Sequence, residues 1–332
     1  MNEQPHQMHL ITVGISLFDK THDLGMKQLQ DALGPDLAAE VRTRTGDLYN
    51  REEDHFDGEG YLEQSAAEIT ALLAGQHAAA QDLCETVKEL RLRVWGRQMS
   101  AELNTLAAYY KSESPRLAAD DTAVLITSDT AAGLRAGLFN ALIMVGGDTD
   151  RVLYPADPAP ALADAHGKVV LVRLPGLDPE LNPDAADRGF YTAMRTLGVL
   201  GGHLYRLALQ RPTQFRFHLS GGFKAALPFL LALAEAMRTI GGPQTVTAHA
   251  LHETSFDQGS LMLPLRSLNL TVRQARTLLQ GADTDGRLPA EPADASYLRG
   301  FLYEETAPGM YRLTPYGASL KSLVDQIPDR RP

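Results

Sequence analysis

The chain has 332 residues, 44% hydrophobic and 22% charged, with a formal net charge of -10. That is ordinary globular composition, enough chain for one large domain or two, and the acidic balance argues against a general nucleic-acid coat while leaving room for a local basic pocket. A single cysteine, Cys84, excludes an intrachain disulfide and a thiolate metal cluster and fits a reducing cytoplasm. No secretory leader is read, because residues 6–12 are followed at once by Gly14, Ser16 and Asp19. The best apolar run, residues 228–234, stops at Glu235, too short to cross a bilayer. A cytoplasmic protein with no membrane partner is expected.

Leu10-Ile-Thr-Val13 predicts a first strand, followed by a Gly14-to-Asp19 loop and a helix over residues 22–33. A doubly wound fold places its first ligand loop at such a strand end, although no G-x-G-x-x-G is present. Ser16 reads equally as a helix cap. Residues 42–60 are polar and read as a long surface loop or ordered insertion. Helical spacing follows over 62–73, 83–94 and 98–110. The last of these carries Glu102 and Asn104, which do not share a face. Polar residues on such a helix are most often solvated.

Thr122-Ala-Val-Leu-Ile-Thr127 is a buried, parallel-type strand. Ser128-Asp-Thr-Ala-Ala-Gly133 and a helix over 134–145 come next, with Asp129 as the expected helix cap. Strands are read at 151–154 and 169–172, a linker at 155–167 and a long helix at 184–209. In Phe215-Arg-Phe-His-Leu-Ser-Gly-Gly-Phe-Lys224, residues alternate at strand period and then open through Gly221 and Gly222 into a helix from Ala225. A strand feeding a helix N-terminus through small residues is an anion site, since the first helical N–H groups lack partners and the dipole favours negative charge. Ser220 adds a hydroxyl there and Lys224 a point charge. The alternative is a tight turn with Lys224 in solvent. Three such turns, near Ser16, Ser128 and Ser220, would converge on one edge of a parallel sheet, where open α/β sheets bind ligands.

Residues 245–251 and 261–265 predict an antiparallel strand pair, with His252, Glu253, Asp257 and Gly259 at its turn. Beyond residue 265 the composition shifts to helix (271–279), loop, a short apolar segment (297–302), a wing turning at Pro308-Gly309, and a final helix to about Val324. That is a winged-helix outline, on a segment whose charges nearly balance. Metal chemistry is unsupported: there is no H-E-x-x-H, and His249 with His252 is only a loose pair. Neither a G-x-S-x-G elbow nor a P-loop is present. Arg211 and His218 have the spacing of a HEPN ribonuclease pair but bracket a strand. What remains is a phosphate-rich ligand held by amides, hydroxyls and one lysine. An RNA-like ligand carries its own 2′-hydroxyl nucleophile, so positioning and charge stabilisation suffice.

Thr12-Val-Gly-Ile-Ser-Leu17, Ser100-Ala-Glu-Leu-Asn104, Leu125-Ile-Thr-Ser-Asp-Thr130 with Gly133, and Leu219-Ser-Gly-Gly-Phe-Lys-Ala225 occur in that order. Together they resemble the CRISPR-associated Rossmann-fold (CARF) proteins, in the branch of standalone ring nucleases and CARF-HEPN sensors. The resemblance implies an α/β, Rossmann-like, mostly parallel sheet over residues 1–265, with a helical insertion at about 42–95 and a winged-helix-like domain at 266–332. It implies a homodimer and a cyclic oligoadenylate, with cyclic tetra-adenylate favoured, lying across the two-fold axis. Lys224 would stabilise charge on the scissile phosphate and Ser16 would orient the ribose or phosphate. Gly221 and Gly222 would supply backbone donors, and Ser128 and Thr130 would line the adenosine pocket. Gly14, Ile15, Asn104, Asp129, Gly133, Ser220 and Phe223 complete the ligand set. No cofactor and no metal are implied. The expected reaction is attack of a 2′-hydroxyl on phosphorus, giving linear oligoadenylate with a 2′,3′-cyclic phosphate. A regulator binding DNA through the winged helix, or an effector that binds without cleaving the ring, is the alternative.

Overall fold

The computed structural model describes residues 5–14, 17, 26–36, 38–39, 70–71, 77–93, 99–176, 186–222, 226–242, 245–251, 260–267, 270–293 and 295–328. The polar stretch 42–60, all but two residues of the helix expected over 62–73, and the turn residues His252, Glu253, Asp257 and Gly259 lie outside that set.

Six parallel strands and one antiparallel strand form a mostly parallel sheet. They are β1 (His6–Thr12), β2 (Thr122–Ser128), β3 (Val152–Leu153), β4 (Val169–Leu174), β5 (Thr213–His218), β6 (Val246–Ala250) and the antiparallel β7 (Leu261–Leu263). The spatial order is β3-β4-β2-β1-β5-β6-β7. The expected antiparallel edge is β6 with β7, paired Ala248↔Leu263 to Ala250↔Leu261. The chain runs from β1 to β2, out to β3 at the edge and back to β4 between β3 and β2, then crosses to lay β5 and β6 on the other side of β1. Strand order therefore reverses at β1/β5, paired His6↔Thr213 to Ile11↔His218. A parallel sheet opens a crevice at the carboxyl ends of its strands where order reverses, because the flanking connections leave in opposite directions.

Helices cover both faces. They are α1 (Met26–Leu33), α2 (His77–Arg93), α3 (Ala101–Tyr110), α4 (Ala131–Val145), α5 (Pro158–Ala163), α6 (Ala186–Gln210), α7 (Leu227–Gly241), α8 (Val272–Leu279) and α9 (Pro315–Asp325). Strand alternation decides which residues go where. Met8, Leu10, Phe215, Phe217, Val246 and Ala248 join Leu197, Leu204, Leu230 and Leu233 of α6 and α7. Ile11, Ala123, Leu125 and Leu171 join Leu103 and Leu106 of α3 and Leu134 and Ile143 of α4 on the other face. The segment read as a linker, 155–167, contains α5, started by Asp157, whose side chain accepts from Ala159 N–H, and by Pro158.

The C-terminal segment has a small sheet, β8 (Arg287–Leu288), β9 (Tyr303–Ala307) and β10 (Met310–Leu313), in the order β8-β10-β9. Gly309, at φ 73°, makes the expected turn of the β9–β10 hairpin. The short apolar segment at 297–302 is only a 3₁₀ turn, Ser296–Leu298, and not a full helix. This segment is joined to the sheet by one hydrophobic cluster, in which Leu320, Leu323 and Val324 of α9 meet Leu197, Leu200 and Leu204 of α6. Arg266 adds a bidentate ion pair to buried Glu235 on α7, with Nε–Oε1 2.8 Å and Nη2–Oε2 2.9 Å. Close approach of α9 to α6 requires glycine. A Cβ on Gly198 would overlap the Ser319 carbonyl oxygen, and one on Gly202 would lie 2.8 Å from that of Leu323. Gly198→Ala is therefore expected to cost about 1–3 kcal/mol of stability by overpacking, read as a lowered midpoint in urea unfolding. An unchanged midpoint would show that the contact yields freely. No described helix is long and apolar enough to cross a membrane.

Candidate functional site

The turns leaving β1 and β5 touch each other. Thr12, the last residue of β1, donates its hydroxyl to the Gly221 carbonyl at 2.5 Å. Gly222 has φ +86°, and a Cβ there would lie 2.5 Å from Thr12 Cβ. A Cβ on Gly14 would meet Gly222 N at 3.2 Å. Gly14 meets Gly222 backbone on backbone, and Gly222 packs on the Thr12 side chain, approaches that residues without a Cβ allow. The structure thus brings Gly14, Gly221 and Gly222 together at the reversal of strand order.

Behind them stands Glu102, 1% exposed. Its Oε1 accepts from the Gly14 N–H at 2.7 Å, and Oε2 is buried without a hydrogen-bond partner among the described residues. Burial raises its pKa, outweighing the opposing influence of the Gly14, Gly222 and own backbone N–H groups and the Ser100 hydroxyl. The expectation of solvated polar residues on this helix is corrected for both Glu102 and Asn104. Asn104 is buried, with Oδ1 accepting from Met99 N–H at 3.0 Å and Nδ2 donating to Met99 carbonyl at 3.1 Å. Its amide braces the start of α3, where Ser100 is the N-cap.

The neighbouring turns are tied in the same way. Thr130, and not Asp129, caps α4, with Oγ1 accepting from Gly133 N–H at 3.0 Å and lying 2.9 Å from Ser128 Oγ. Asp129 instead reaches across to the end of β4, Oδ2 accepting from Gly176 N–H at 2.9 Å, while Oδ1 is buried without a partner among the described residues. Ser220 Oγ accepts from Leu251 N–H, just past β6, at 2.6 Å. A belt of side-chain-to-backbone bonds therefore runs along the carboxyl edge of the sheet, from β4 to β6. Ser16, Ile15, Phe223 and Lys224 lie outside the described residues. The helix after the β5 turn, α7, begins at Ala226 with no side-chain cap hydrogen bond. Its first N–H groups keep the electrostatic preference for an anion described by the helix dipole.

Beneath the edge lies a polar network that the sequence reading did not assemble. His9, His218 and His249 come from β1, β5 and β6 and face α3. His9 Nδ1 is 2.9 Å from His218 Nε2, and Tyr110 Oη is 2.9 Å from His9 Nε2 and donates to Asp121 Oδ2 at 2.5 Å. His249 stacks on His218 at 5.7 Å and contacts Thr247 Oγ1 at 2.8 Å. Its partner among the described residues is thus His218, while His252 lies outside them. Register explains this, since His218 pairs with His249 across β5/β6. Sequence distance hides it; only the alternation of His9 within an apolar run signals a polar group facing a core.

Burial lowers the pKa of all three imidazoles. Repulsion from His9, His249 and Arg216 adds to it at His218, and Arg216 and His9 bring His249 to about 4. Asp121 is depressed, because hydrogen bonds from His9 and Tyr110 outweigh its burial. The sign follows from linkage: imidazoles that stay neutral when folded but charge when unfolded lose their stabilising share as pH falls from 6.5 toward 4. His249 alone accounts for roughly 3 kcal/mol over that window. Urea unfolding at pH 7 and at pH 4 should show the loss, and His249→Asn should reduce it. A level profile contradicts the network's neutrality.

Two clefts of about 280 Å³ lie elsewhere. One is between α6, α9 and the α8–β8 connection, and its cations are engaged: Arg195 with the Thr284 carbonyl at 3.0 Å, Lys321 with Asp325 at 2.6 Å. The other lies beside α2, floored by Cys84, Val87 and Met99, with Lys88 paired to Glu85 at 2.9 Å. Neither stands at a strand-order reversal. Among the described residues, no group of three or more His, Cys, Asp or Glu is placed to hold a metal ion. No protein-family model matches the chain, and no curated protein matches it.

Proposed function

We propose that the β1/β5 crevice binds a cyclic oligoadenylate and cleaves it without metal to linear oligoadenylate ending in a 2′,3′-cyclic phosphate. One observation carries this reading. The turn containing Gly14 and the turn containing Gly221 and Gly222 meet at the reversal of strand order, directly before the side-chain-uncapped start of α7. Phosphates would sit on the amides of the β5 turn and the first turn of α7. Lys224 would neutralise charge developing on the scissile phosphate, and Ser16 would orient the ribose or phosphate. Ser128 and Thr130, one strand away, would border the adenosine. The reaction forms a bond from the ribose 2′-oxygen to the adjacent phosphorus and breaks that phosphorus's bond to the 5′-oxygen, which leaves with a proton.

A two-fold ring suits a homodimer in which two such crevices face each other. In this reading residues 266–332 form a winged-helix-like module, and the whole chain terminates a cyclic-oligoadenylate signal of type III CRISPR defence in the cytoplasm. The test is incubation of the protein with labelled cyclic tri-, tetra- and hexa-adenylate in EDTA, with products separated. Linear product from one ring supports the reading and names the substrate. Tight binding without product points to a ring-gated regulator or effector, whose DNA contact would show as salt-dependent binding. Absence of both for every ring removes the reading.

A further inference from the structure

We propose that Glu102 is a positioning residue for this crevice: its buried carboxyl clamps the turn after β1 onto the turn after β5, and an anionic ligand seated on those turns is held only as firmly as that clamp allows. The inference rests on the reading of the crevice as an anion site, and it adds a residue that reading does not use.

The geometry comes first. Glu102 projects from the first turn of α3, which Ser100 caps by accepting from Leu103 N–H at 3.2 Å, so the helix end carrying it is held in place. Its Oε1 accepts from Gly14 N–H at 2.7 Å. Gly221 packs directly against the same carboxyl; a Cβ there would overlap Oε1 and Cδ. One side chain therefore contacts both turns, which are 207 residues apart in sequence (221 minus 14). The second oxygen, Oε2, is buried and has no hydrogen-bond partner within bonding geometry among the described residues. An ionised carboxylate in that position would leave a charged oxygen unsatisfied under the very turns proposed to carry phosphate, which is doubly unfavourable. A neutral carboxyl satisfies Gly14 without presenting that charge, and the upward shift produced by burial agrees with it.

The groups facing Glu102 are Ser100 from its own helix, Gly14 after β1, and Gly221 and Gly222 after β5. The titratable or charged side chains on those elements are Tyr109 and Tyr110 on α3, His6 and His9 on β1, and Arg216 and His218 on β5. Burial keeps all three histidines neutral at pH 7. The sign is then determined. Bound phosphate disfavours ionisation of Glu102, so affinity for an anionic ring falls as pH rises through its raised pKa, by up to tenfold per pH unit. The histidines also strengthen anion binding when protonated, but only well below the ordinary imidazole value, since burial lowers them, and they do so equally in a Glu102 variant.

E102Q keeps an acceptor for Gly14 and has no charge at any pH; E102A removes the clamp. The experiment measures cyclic tetra-adenylate affinity from pH 5 to 8 for wild type, E102Q and E102A, and amide hydrogen exchange at Gly14 and Gly222 in the ligand-free proteins. The expected result is a falling affinity in wild type that flattens in E102Q and is weak throughout in E102A. Gly14 should be protected in wild type and E102Q and exposed to exchange in E102A. Identical pH slopes in wild type and E102Q, or Gly14 exchange indifferent to E102A, would overturn the inference. If wild type binds no ring at any pH, the proposed function fails, and the exchange comparison alone decides the clamp.

Discussion

Lys224→Ala is expected to lower the single-turnover rate of ring cleavage by about 10²–10³-fold, the loss typical when one preorganised group facing a developing oxyanion is removed. Attack of a 2′-oxygen gathers charge on the phosphorus oxygens, and Lys224, two residues beyond Gly222 in the sequence, is the cation assigned to it. The β5 turn and the side-chain-uncapped start of α7 favour the ground-state phosphate as well, so ring affinity should fall much less than rate. A labelled ring mixed with excess enzyme separates the two effects, since binding and chemistry are then read in one experiment. Lys224→Arg, which keeps the charge but spreads it over a planar fork, should fall between. If Lys224→Ala cleaves as fast as wild type, the assignment of this lysine is wrong whatever the ring.

Gly222→Ala should be the most damaging small substitution at the crevice. The residue sits at φ +86°, and the new methyl would stand 2.5 Å from Thr12 Cβ and 2.9 Å from Thr12 Oγ1. The left-handed backbone costs about 1–2 kcal/mol for any residue with a Cβ, and overpacking costs about 1–3 kcal/mol more. Gly300→Ala isolates the first contribution, because Gly300 has φ +79° and nothing within 4 Å of its added Cβ. Urea unfolding of both variants should show Gly222→Ala losing roughly 2–5 kcal/mol against about 1–2 for Gly300→Ala. Ring binding should disappear only in the former, since only that turn would be displaced from Thr12 and Gly14. Equal losses for the two variants would show that the β1 and β5 turns are not packed as tightly as their contact implies.

Much of the frame was legible in the sequence. Thr122 to Thr127 is apolar on both faces, so β2 had to be an interior parallel strand. Phe215, Phe217 and Leu219 alternate, so β5 had to bury one face. The 261–265 run was readable as an edge, and residues 306–311 were readable as a hairpin because Pro308-Gly309 can only turn. The C-terminal division was less so. Its last helix carries an apolar stripe that, on the sequence alone, could close its own small core. The three glycines Gly198, Gly201 and Gly202 on α6 let that stripe reach the main core instead.

At the site the same limit applies. Residue types and local order determined that glycines, hydroxyls and a lysine follow parallel strands, because strand period and turn chemistry are properties of neighbours in the chain. Which polar groups meet was decided by register and helix placement. Glu102 and Asn104 are two residues apart and read alike, yet one reaches the turns of β1 and β5 while the other folds back on Met99. Thr130 took the cap expected of Asp129, because β4 lies beside β2 and the residue just past it, Gly176, presents its N–H to the aspartate. His9, His218 and His249 became one network only once β1, β5 and β6 were laid side by side. Such contacts are absent from the sequence because their cost and their reward both belong to burial. A carboxyl or an imidazole reveals what it does only where water has been removed from it and a partner from a distant segment has been supplied.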